Sequence, residues 1–240
     1  MQTFPSRERS LPLFIISACY TETDFSKKAV LTMLEDTGER VIPEYMKADN
    51  AMWLEHLARY HFAMPYARDR LLDIACGSGY GTKLMAKRRK REVTEAVGVD
   101  LDSATVEYAR GAYYHPRVTY KQGDLLDPSL PEKIGTFDTV LSFETLEHVP
   151  DDYEAMGRLS NLVTPGGTLV LSTPFGAGRN ELCSSPFHYF QLTEEEFRRL
   201  CRNKAFAFKE VTFYYQNGVS FEPFKRDGLH YPIGIAVCRK

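Results

Sequence analysis

The sequence has 240 residues, of which 43% are hydrophobic, and its 30 Lys+Arg and 32 Asp+Glu give a formal charge of −2. These values are ordinary for a soluble globular protein, and the near-neutral charge argues against a non-specific nucleic-acid binder, which needs a basic excess to displace counterions. No apolar run approaches the roughly 20 residues that span a bilayer. The five cysteines are scattered and odd in number, which argues against a disulfide framework or a zinc knuckle. We therefore expect a cytoplasmic, mainly single-domain α/β protein that does not bind membranes.

The first 36 residues differ in character from the rest of the chain. A basic stretch precedes a short apolar run over residues 11–18, but Pro12 interrupts that run, which argues against a signal peptide. We predict a flexible leader over residues 1–36, with Met33 as an alternative start of the protein.

Residues 37–70 are predicted to form cap helices in front of the main domain, residues 71–240. Apolar and aromatic residues recur at helical spacing in the cap segment, so Trp53, His56 and Tyr60 share one helix face. Packing of that face against the core is the default interpretation, and a role as a cap over the substrate is the alternative.

Beyond residue 70, strand-like and helix-like segments alternate, which predicts β-α-β units with parallel strands covered on both faces. Five strands are predicted to alternate with helices: 71–76, 96–99, 118–121, 137–143 and 168–172. Two further strands, near 209–214 and 233–238, have no helix-like pattern between them. The pattern therefore predicts an α/β fold with a seven-stranded, mostly parallel, doubly wound sheet and an antiparallel C-terminal hairpin at one edge.

The first predicted strand runs into a glycine-rich segment, Asp73-Ile74-Ala75-Cys76-Gly77-Ser78-Gly79-Tyr80-Gly81. Ligands of open α/β sheets bind beyond the carboxyl ends of the strands, and glycines let the backbone turn sharply and approach a ligand closely. The spacing differs from the dinucleotide fingerprint G-x-G-x-x-G. Asp73 would repel a bound pyrophosphate, but it suits a ligand that carries an ammonium and a sulfonium. A nicotinamide-dependent oxidoreductase is the disfavoured alternative.

Five segments in order resemble the class I S-adenosylmethionine-dependent methyltransferases, over roughly residues 37–240. They are the glycine segment, Val97-Gly98-Val99-Asp100, Gly123-Asp124-Leu125, residues 137–142 and residues 162–167. The resemblance implies a Rossmann-like form of the sheet and S-adenosyl-L-methionine as cofactor. It implies that the cofactor is bound by Asp73, Ala75, Gly77, Gly79, Asp100, Leu101, Asp124, Leu125 and Ser142. For Asp124 alone the capping of a turn is an alternative, and Cys76 is interpreted as a packing residue.

The chemistry is expected after the fourth predicted strand, where Glu144, Glu147 and His148 are spaced i, i+3 and i+4. If this segment is helical, the three side chains project from one face. Two carboxylates and an imidazole that converge are costly unless they share a proton or a cation. His148 and Glu144 are the catalytic candidates, and a divalent metal is a candidate partner.

The pattern E-x-x-E-H followed by H-x-F-x-x-T is similar to the metal-dependent small-RNA 2′-O-methyltransferases, and its first part is similar to the O-methyltransferases of the ubiquinone pathway. That resemblance implies that Glu144, Glu147, His148 and His188 bind a divalent ion such as Mg or Mn. The alternative is a metal-free site in which His148 acts as a general base, Glu144 contacts the cofactor side and His188 bonds the backbone.

The sequence favours methyl transfer to an oxygen of a small molecule: a metabolite, a quinone precursor or a sugar. Methylation of the 2′-oxygen at RNA ends is the alternative; the basic run Lys87–Arg91 favours it, and the lack of a separate RNA-binding domain disfavours it. A non-catalytic module that only binds the cofactor is a third interpretation. Aromatic residues near the C-terminus fit either a substrate pocket or the core. The sequence makes no prediction about oligomeric state.

Overall fold

The computed structural model describes residue 34, residues 38–181, residue 183 and residues 185–240. Apart from Leu34, the predicted leader and the alternative start at Met33 therefore lie outside the described residues. The described chain begins with a short 3₁₀ turn, Pro43–Tyr45, and helix α1, Ala51–Ala63. Asn50 caps α1, because its side chain accepts a hydrogen bond from the backbone N–H of Trp53 at 3.0 Å.

Strands and helices then alternate along the chain, as the sequence predicts. A second 3₁₀ turn, Met64–Tyr66, leads from α1 into the sheet. The elements that follow are, in chain order, β1 (Asp69–Ile74), α2 (Tyr80–Arg88), β2 (Val93–Asp100), α3 (Ser103–Ala112), β3 (Val118–Gln122), α4 (Leu130–Ile134), β4 (Phe137–Phe143), α5 (Asp152–Leu162), β5 (Val163–Pro174), α6 (Glu194–Cys201), β6 (Glu210–Asn217), β7 (Ser220–Glu222) and β8 (Ile233–Arg239).

The sheet has the order β3-β2-β1-β4-β5-β8-β6-β7. The first five strands in the chain run parallel, and β6, β7 and β8 add antiparallel pairings. The Rossmann-like, mostly parallel α/β fold is thus confirmed, with eight strands in place of the predicted seven. The additional strand, β7, has three residues, which is too short for a recognisable alternation of apolar side chains.

The two predicted C-terminal strands, β6 and β8, pair antiparallel with each other, as predicted, and the additional strand β7 lies outside them. Strand β8 lies between β5 and β6 and pairs antiparallel with both of them. Strand β6 forms its tight hairpin with β7, and β7 is the edge. The apolar character of β8 fits this central position, since six of its seven residues are buried.

Two hydrophobic clusters cover the faces of the sheet. One contains buried residues of α5 and α6, including Met156, Leu159 and Phe197. The other contains residues of α1, α2 and α3, including Tyr60 and Met85. Helices cover both faces of the sheet, so a ligand can reach it at the carboxyl ends of its strands. The ends of β1, β2 and β4 lie side by side, because β1 pairs with both β2 and β4. None of the helices in the described part of the chain has the length and apolar character needed to cross a membrane.

Candidate functional site

A cavity of about 480 Å³ lies at the carboxyl ends of β1, β2 and β4. Five segments that are distant in sequence line it: residues 38–41, one face of α1, the glycine segment with Asp100, the residues after β4, and His188. One cavity therefore joins residues of the predicted cofactor site with residues of the predicted chemistry site. We call the part at Asp100 the cofactor end and the part at His148 and His188 the acceptor end.

The glycine segment turns sharply at the cofactor end. The φ angles of Ala75, Gly77 and Gly79 are +56°, +54° and +90°, in the left-handed region that favours glycine. The Gly77 N–H donates to Asp100 Oδ2 at 2.9 Å, and the Asp102 N–H donates to Asp100 Oδ1 at 3.1 Å. Burial raises the pKa of Asp100 above its usual value, and these two amides counteract the increase. The carboxylate is thus held in one orientation beside the cavity.

Asp73 is 1% exposed and is not among the residues that line the cavity. Its carboxylate accepts hydrogen bonds from the Thr82 hydroxyl at 2.7 Å and from the Tyr60 hydroxyl at 3.2 Å. Burial raises its pKa to about 7. Tyr60 lines the cavity, so the structure connects Asp73 to the cavity through the tyrosine hydroxyl.

The other predicted cofactor residues are placed in three ways. Ala75 and Gly77 line the cavity. Leu101 and Asp124 are exposed at the surface, where Asp124 accepts a hydrogen bond from the Leu126 N–H at 2.8 Å. The remaining members lie in packed surroundings: Gly79, Leu125 and Ser142. The direct roles of these residues toward a cofactor stay predictions.

Helix α1 forms one wall of the cavity. Residues at spacing i, i+3, i+4, i+7 and i+8 face it: Met52, Glu55, His56, Arg59 and Tyr60. Burial, and secondarily the charge of Arg59, lower the pKa of His56 well below its usual value, so its imidazole is neutral at pH 7. The predicted helix face therefore contributes to both the core and the cavity: Tyr60, which is 5% exposed, packs in the core and also lines the cavity, and His56 lines the cavity.

A buried arginine links this wall to the end of β4. Arg59 is 1% exposed, and its Nη1 donates to the side-chain oxygen of Gln216 at 2.9 Å. The Gln216 amide nitrogen donates in turn to two backbone oxygens, those of Glu55 and Gly218. Arg59 Nη2 lies 3.8 Å from Glu144 Oε2. The guanidinium thus offsets part of the negative charge that the acids bring to the cavity.

The segment after β4 is not the helix that would place Glu144, Glu147 and His148 on one face. Glu144 has a left-handed φ of +52°, and only a single 3₁₀ turn, Leu146–His148, follows. Glu144 Oε1 accepts a hydrogen bond from the Ser172 hydroxyl at 3.2 Å. The reversal of the backbone at Glu144 breaks the regular i, i+3, i+4 projection.

Glu147 also lines the cavity, but its carboxyl is bonded inside the protein. It is 1% exposed, and its Oε2 accepts a hydrogen bond from the Thr173 hydroxyl at 3.0 Å. Burial, and then the nearby Glu144, raise its pKa well above the usual value. Its Oε1 has no hydrogen-bond partner among the residues that the structure describes. A carboxyl in these surroundings favours the protonated form.

The structure brings together the two predicted histidines. The ring centroids of His148 and His188 are 4.8 Å apart, and burial with the neighbouring His148 lowers the pKa of His188. Glu39, which the sequence analysis did not select, lies with its Oε1 3.6 Å from His188 Nε2. Within the described ranges, Glu39, His148 and His188 form the one group with metal-binding geometry, and neither Glu144 nor Glu147 belongs to it.

Sequence reasoning missed Glu39, Glu55 and Arg59 as residues of the cavity. Helical spacing could have predicted Glu55 and Arg59, because both fall on the same face of α1 as His56 and Tyr60. No such spacing predicts Glu39, because its position beside His188 depends on a contact between segments 149 residues apart in the sequence.

Comparison with known proteins identifies relatives of the chain. Residues 72–171 match a family model described as a methyltransferase domain. A "probable S-adenosylmethionine-dependent methyltransferase" of Mycolicibacterium smegmatis is 32% identical over 188 residues, which are 76% of this chain and 69% of the relative. A protein of the same description from Mycobacterium tuberculosis is 32% identical over 75% of this chain, and the match spans 62% of that protein's length.

Two more distant similarities bear on chemistry and fold. A ubiquinone biosynthesis O-methyltransferase of Alkalilimnicola ehrlichii is 36% identical over 109 residues, which are 43% of this chain and 41% of that protein. The crystal structure of a SAM-dependent methyltransferase from Archaeoglobus fulgidus superposes with a TM-score of 0.57 at 15% identity, covering 80% of this chain and 95% of the other. At that identity the superposition shows the shared fold alone.

Proposed function

This chain belongs to the S-adenosylmethionine-dependent methyltransferases, and we propose that it transfers the methyl group to a hydroxyl oxygen of a small molecule. The observation that carries the proposal is the single cavity in which Asp100 and Gly77 lie at one end and His56, His148 and His188 lie at the other. An acceptor hydroxyl needs a group that removes its proton, and three imidazoles face the space where it would bind.

The cofactor end fits the group that the family implies. Asp100 presents a fixed carboxylate beside the cavity, which suits the ribose hydroxyls as donors. Ala75 and Gly77 supply backbone that approaches the cavity closely. When bound, S-adenosylmethionine supplies a methyl group already activated by a positively charged sulfur. The carboxylate of Asp100 beside the cavity favours a cationic ligand electrostatically.

The acceptor end supports transfer to oxygen. His56 is neutral at pH 7 and can accept a proton. His148 is the other candidate base, because its Nδ1 lies 3.1 Å from the carbonyl oxygen of Phe187, which fixes the ring and leaves Nε2 free to act. The name of the Alkalilimnicola ehrlichii relative describes an O-methyltransferase and supports the same chemistry.

The dimensions of the cavity support a small acceptor. About 480 Å³ is within the range of small-ligand sites, and both the cofactor and the acceptor must share it. Charged side chains of both signs line it, among them Arg59, Glu55 and Glu144. A polar metabolite with several hydrogen-bonding groups fits this lining better than an extended RNA end does.

A methyl-transfer screen tests the proposal. The protein is incubated with S-adenosylmethionine labelled at the methyl group and with separate panels of phenolic quinone precursors, sugars, hydroxy acids and RNA 3′ ends, and the products are identified by mass spectrometry. We expect O-methylation within one small-molecule panel, and about 10- to 100-fold less product from Asp100→Ala at a cofactor concentration below the dissociation constant of the wild type. Methylation of carbon or nitrogen, or of RNA alone, would contradict the proposal.

A further inference from the structure

Three metal-ligating side chains converge at the acceptor end, and they come from three distant parts of the chain. Glu39 precedes α1, His148 ends the 3₁₀ turn after β4, and His188 lies in the loop before α6. Each offers one ligand atom, and these atoms all lie within 4.8 Å of one another. Atoms that bind one ion at about 2.0–2.2 Å lie no more than about 4.4 Å apart, so the three side chains need to move together only slightly to surround one ion.

Each of the three side chains is also oriented by a second polar contact. The Phe187 carbonyl oxygen lies 3.1 Å from His148 Nδ1, and the Gln191 amide lies 3.2 Å from His188 Nδ1. The Ser185 hydroxyl donates to Glu39 Oε1 at 2.9 Å. The Phe187 carbonyl oxygen can only accept a hydrogen bond, so His148 donates from Nδ1 and keeps Nε2 for the ion. The Gln191 amide fixes the orientation of the His188 ring.

We propose that Glu39, His148 and His188 bind a divalent transition-metal ion at the acceptor end of the cavity. Two imidazoles and one carboxylate favour Zn²⁺, Mn²⁺, Fe²⁺ or Co²⁺ over Mg²⁺, which prefers oxygen ligands. Three protein ligands leave positions open for an oxygen of the acceptor. With the ion bound, His148 is a ligand, and His56 is the base that remains for the acceptor's proton. Only the role of the ion in activating a hydroxyl rests on the proposed methyltransferase function; its binding does not.

This ligand set differs from the one implied by the E-x-x-E-H pattern. The Glu147 carboxyl is bonded to Thr173 inside the protein, and Glu144 is bonded to Ser172 and lies 3.8 Å from Arg59. Glu39 takes the place of both carboxylates. As a consequence, the segment before α1 is tied to the site by the ion, in addition to its hydrogen bond with Ser185.

Metal titration of the purified, chelator-treated protein tests the site without cofactor or acceptor. Co²⁺ is the probe, followed by calorimetry and by its visible absorption, which reports the ligand geometry. We expect one ion per chain, and Glu39→Gln and His188→Gln should each weaken its binding by at least about tenfold. The matched variant Glu144→Gln, which changes a carboxylate of the same cavity outside the group, should bind Co²⁺ as the wild type does.

Two results would overturn the site: no Co²⁺ binding by the wild type, or equal losses in Glu39→Gln and Glu144→Gln. Should Glu39→Gln fail to fold, as judged by circular dichroism, Ser185→Ala is the second variant. It leaves all three ligands in place and removes the donor that orients Glu39, so we expect about tenfold weaker binding; unchanged binding contradicts the proposal. Because none of these measurements requires methyl transfer, failure of the proposed activity and failure of the metal site are separate outcomes.

Discussion

The two ends of the cavity are built differently. At the cofactor end, most of the site comes from the glycine segment and from the residue that ends the neighbouring strand, Asp100. At the acceptor end, Glu39, His56 and His188 come from segments that meet only in the folded chain. Local sequence therefore determines the first end, and packing between distant elements determines the second. Substitutions at the cofactor end should change cofactor binding directly, whereas those at the junction of the two ends should act through stability.

The largest expected effect is that of Asp100→Ala on cofactor binding. The variant removes a carboxylate that two backbone amides hold beside the cavity. Charge-assisted hydrogen bonds contribute about 1.5–3 kcal/mol, so the affinity for S-adenosylmethionine should fall by about 10- to 100-fold. Isothermal titration calorimetry measures the affinity of both proteins for S-adenosylmethionine. Glu107→Ala removes an exposed carboxylate from α3 and is the control; equal losses in the two variants would show that the effect is one of overall charge.

Gly81→Ala tests the junction between the two ends. A Cβ at Gly81 would lie 1.9 Å from Cζ of Tyr60, so α1 and α2 must separate to accept it. Overpacking of this kind costs about 1–3 kcal/mol of the free energy of unfolding. Denaturant unfolding should show this loss of free energy. Hydrogen exchange of the backbone amides of α1 should be faster than in the wild type.

Gly77→Ala is the control for Gly81→Ala. Its φ of +54° is left-handed, but an added Cβ meets no atom within 4 Å. The substitution then lowers the free energy of unfolding only through backbone strain, by about 1–2 kcal/mol, and does not displace α1. If the two variants give the same hydrogen-exchange pattern along α1, the close contact between Gly81 and Tyr60 is not what holds α1 in place against α2.

The pKa of Asp73 predicts a pH dependence of stability. Its value is about 7 in the folded protein, against an ordinary value of 3.8, so between these values the folded state binds a proton that the unfolded state lacks. The stabilisation is complete below about pH 4 and is lost as the pH rises through 7, with a slope of at most about 1.4 kcal/mol per pH unit for one group.

Asp73→Asn keeps the shape of the side chain and removes this titration. We expect the free energy of unfolding of the variant to fall less than that of the wild type between pH 5 and about pH 8, as measured in urea at several pH values. Glu147, whose pKa is also raised by burial, should leave part of the slope in the variant. Identical slopes in both proteins would mean that Asp73 is ionised throughout.

The smallest expected effect is that of Asn50→Ala. The Asn50 side chain caps α1 through the Trp53 N–H, and loss of such a cap costs about 1 kcal/mol. Thermal unfolding should show a slightly lower midpoint, while cofactor affinity stays unchanged because the cap lies outside the cofactor end. A loss of cofactor affinity as large as that of Asp100→Ala would mean that the two ends are not independent.

The contrast between the two ends also explains what the sequence predicted. Alternating apolar runs are local patterns, so the succession of the first five strands along the chain and their parallel pairing agree with the sequence analysis. Ala75, Gly77 and Asp100 line one cavity, and their binding of the cofactor stays a prediction. The condition under which Glu144, Glu147 and His148 would share one helix face is not met, because Glu144 is left-handed, and spacing alone does not reveal such a residue. Strand β7 was missed because it is short.

Glu39 shows a different limit of sequence reasoning. The local sequence of residues 38–41 does not indicate that Glu39 lies beside the two histidines. The contact forms only when the loop before α6 packs beside the segment before α1. The central position of β8 has the same origin. An apolar strand of this kind pairs equally well at an edge or between two strands, and tertiary packing decides which of the two occurs.

The insertion of β8 between β5 and β6 also determines when the sheet can be completed during synthesis. Residues 233–239 leave the ribosome after every other strand of the sheet. Until then one edge of β5 has no partner, and the β6–β7 hairpin has no strand on which to dock. Open apolar edges of this kind are templates for aggregation. A nascent chain that ends before Ile233 therefore has an incomplete sheet with open edges, which cellular quality control can recognise. Its cofactor end has by then been translated in full.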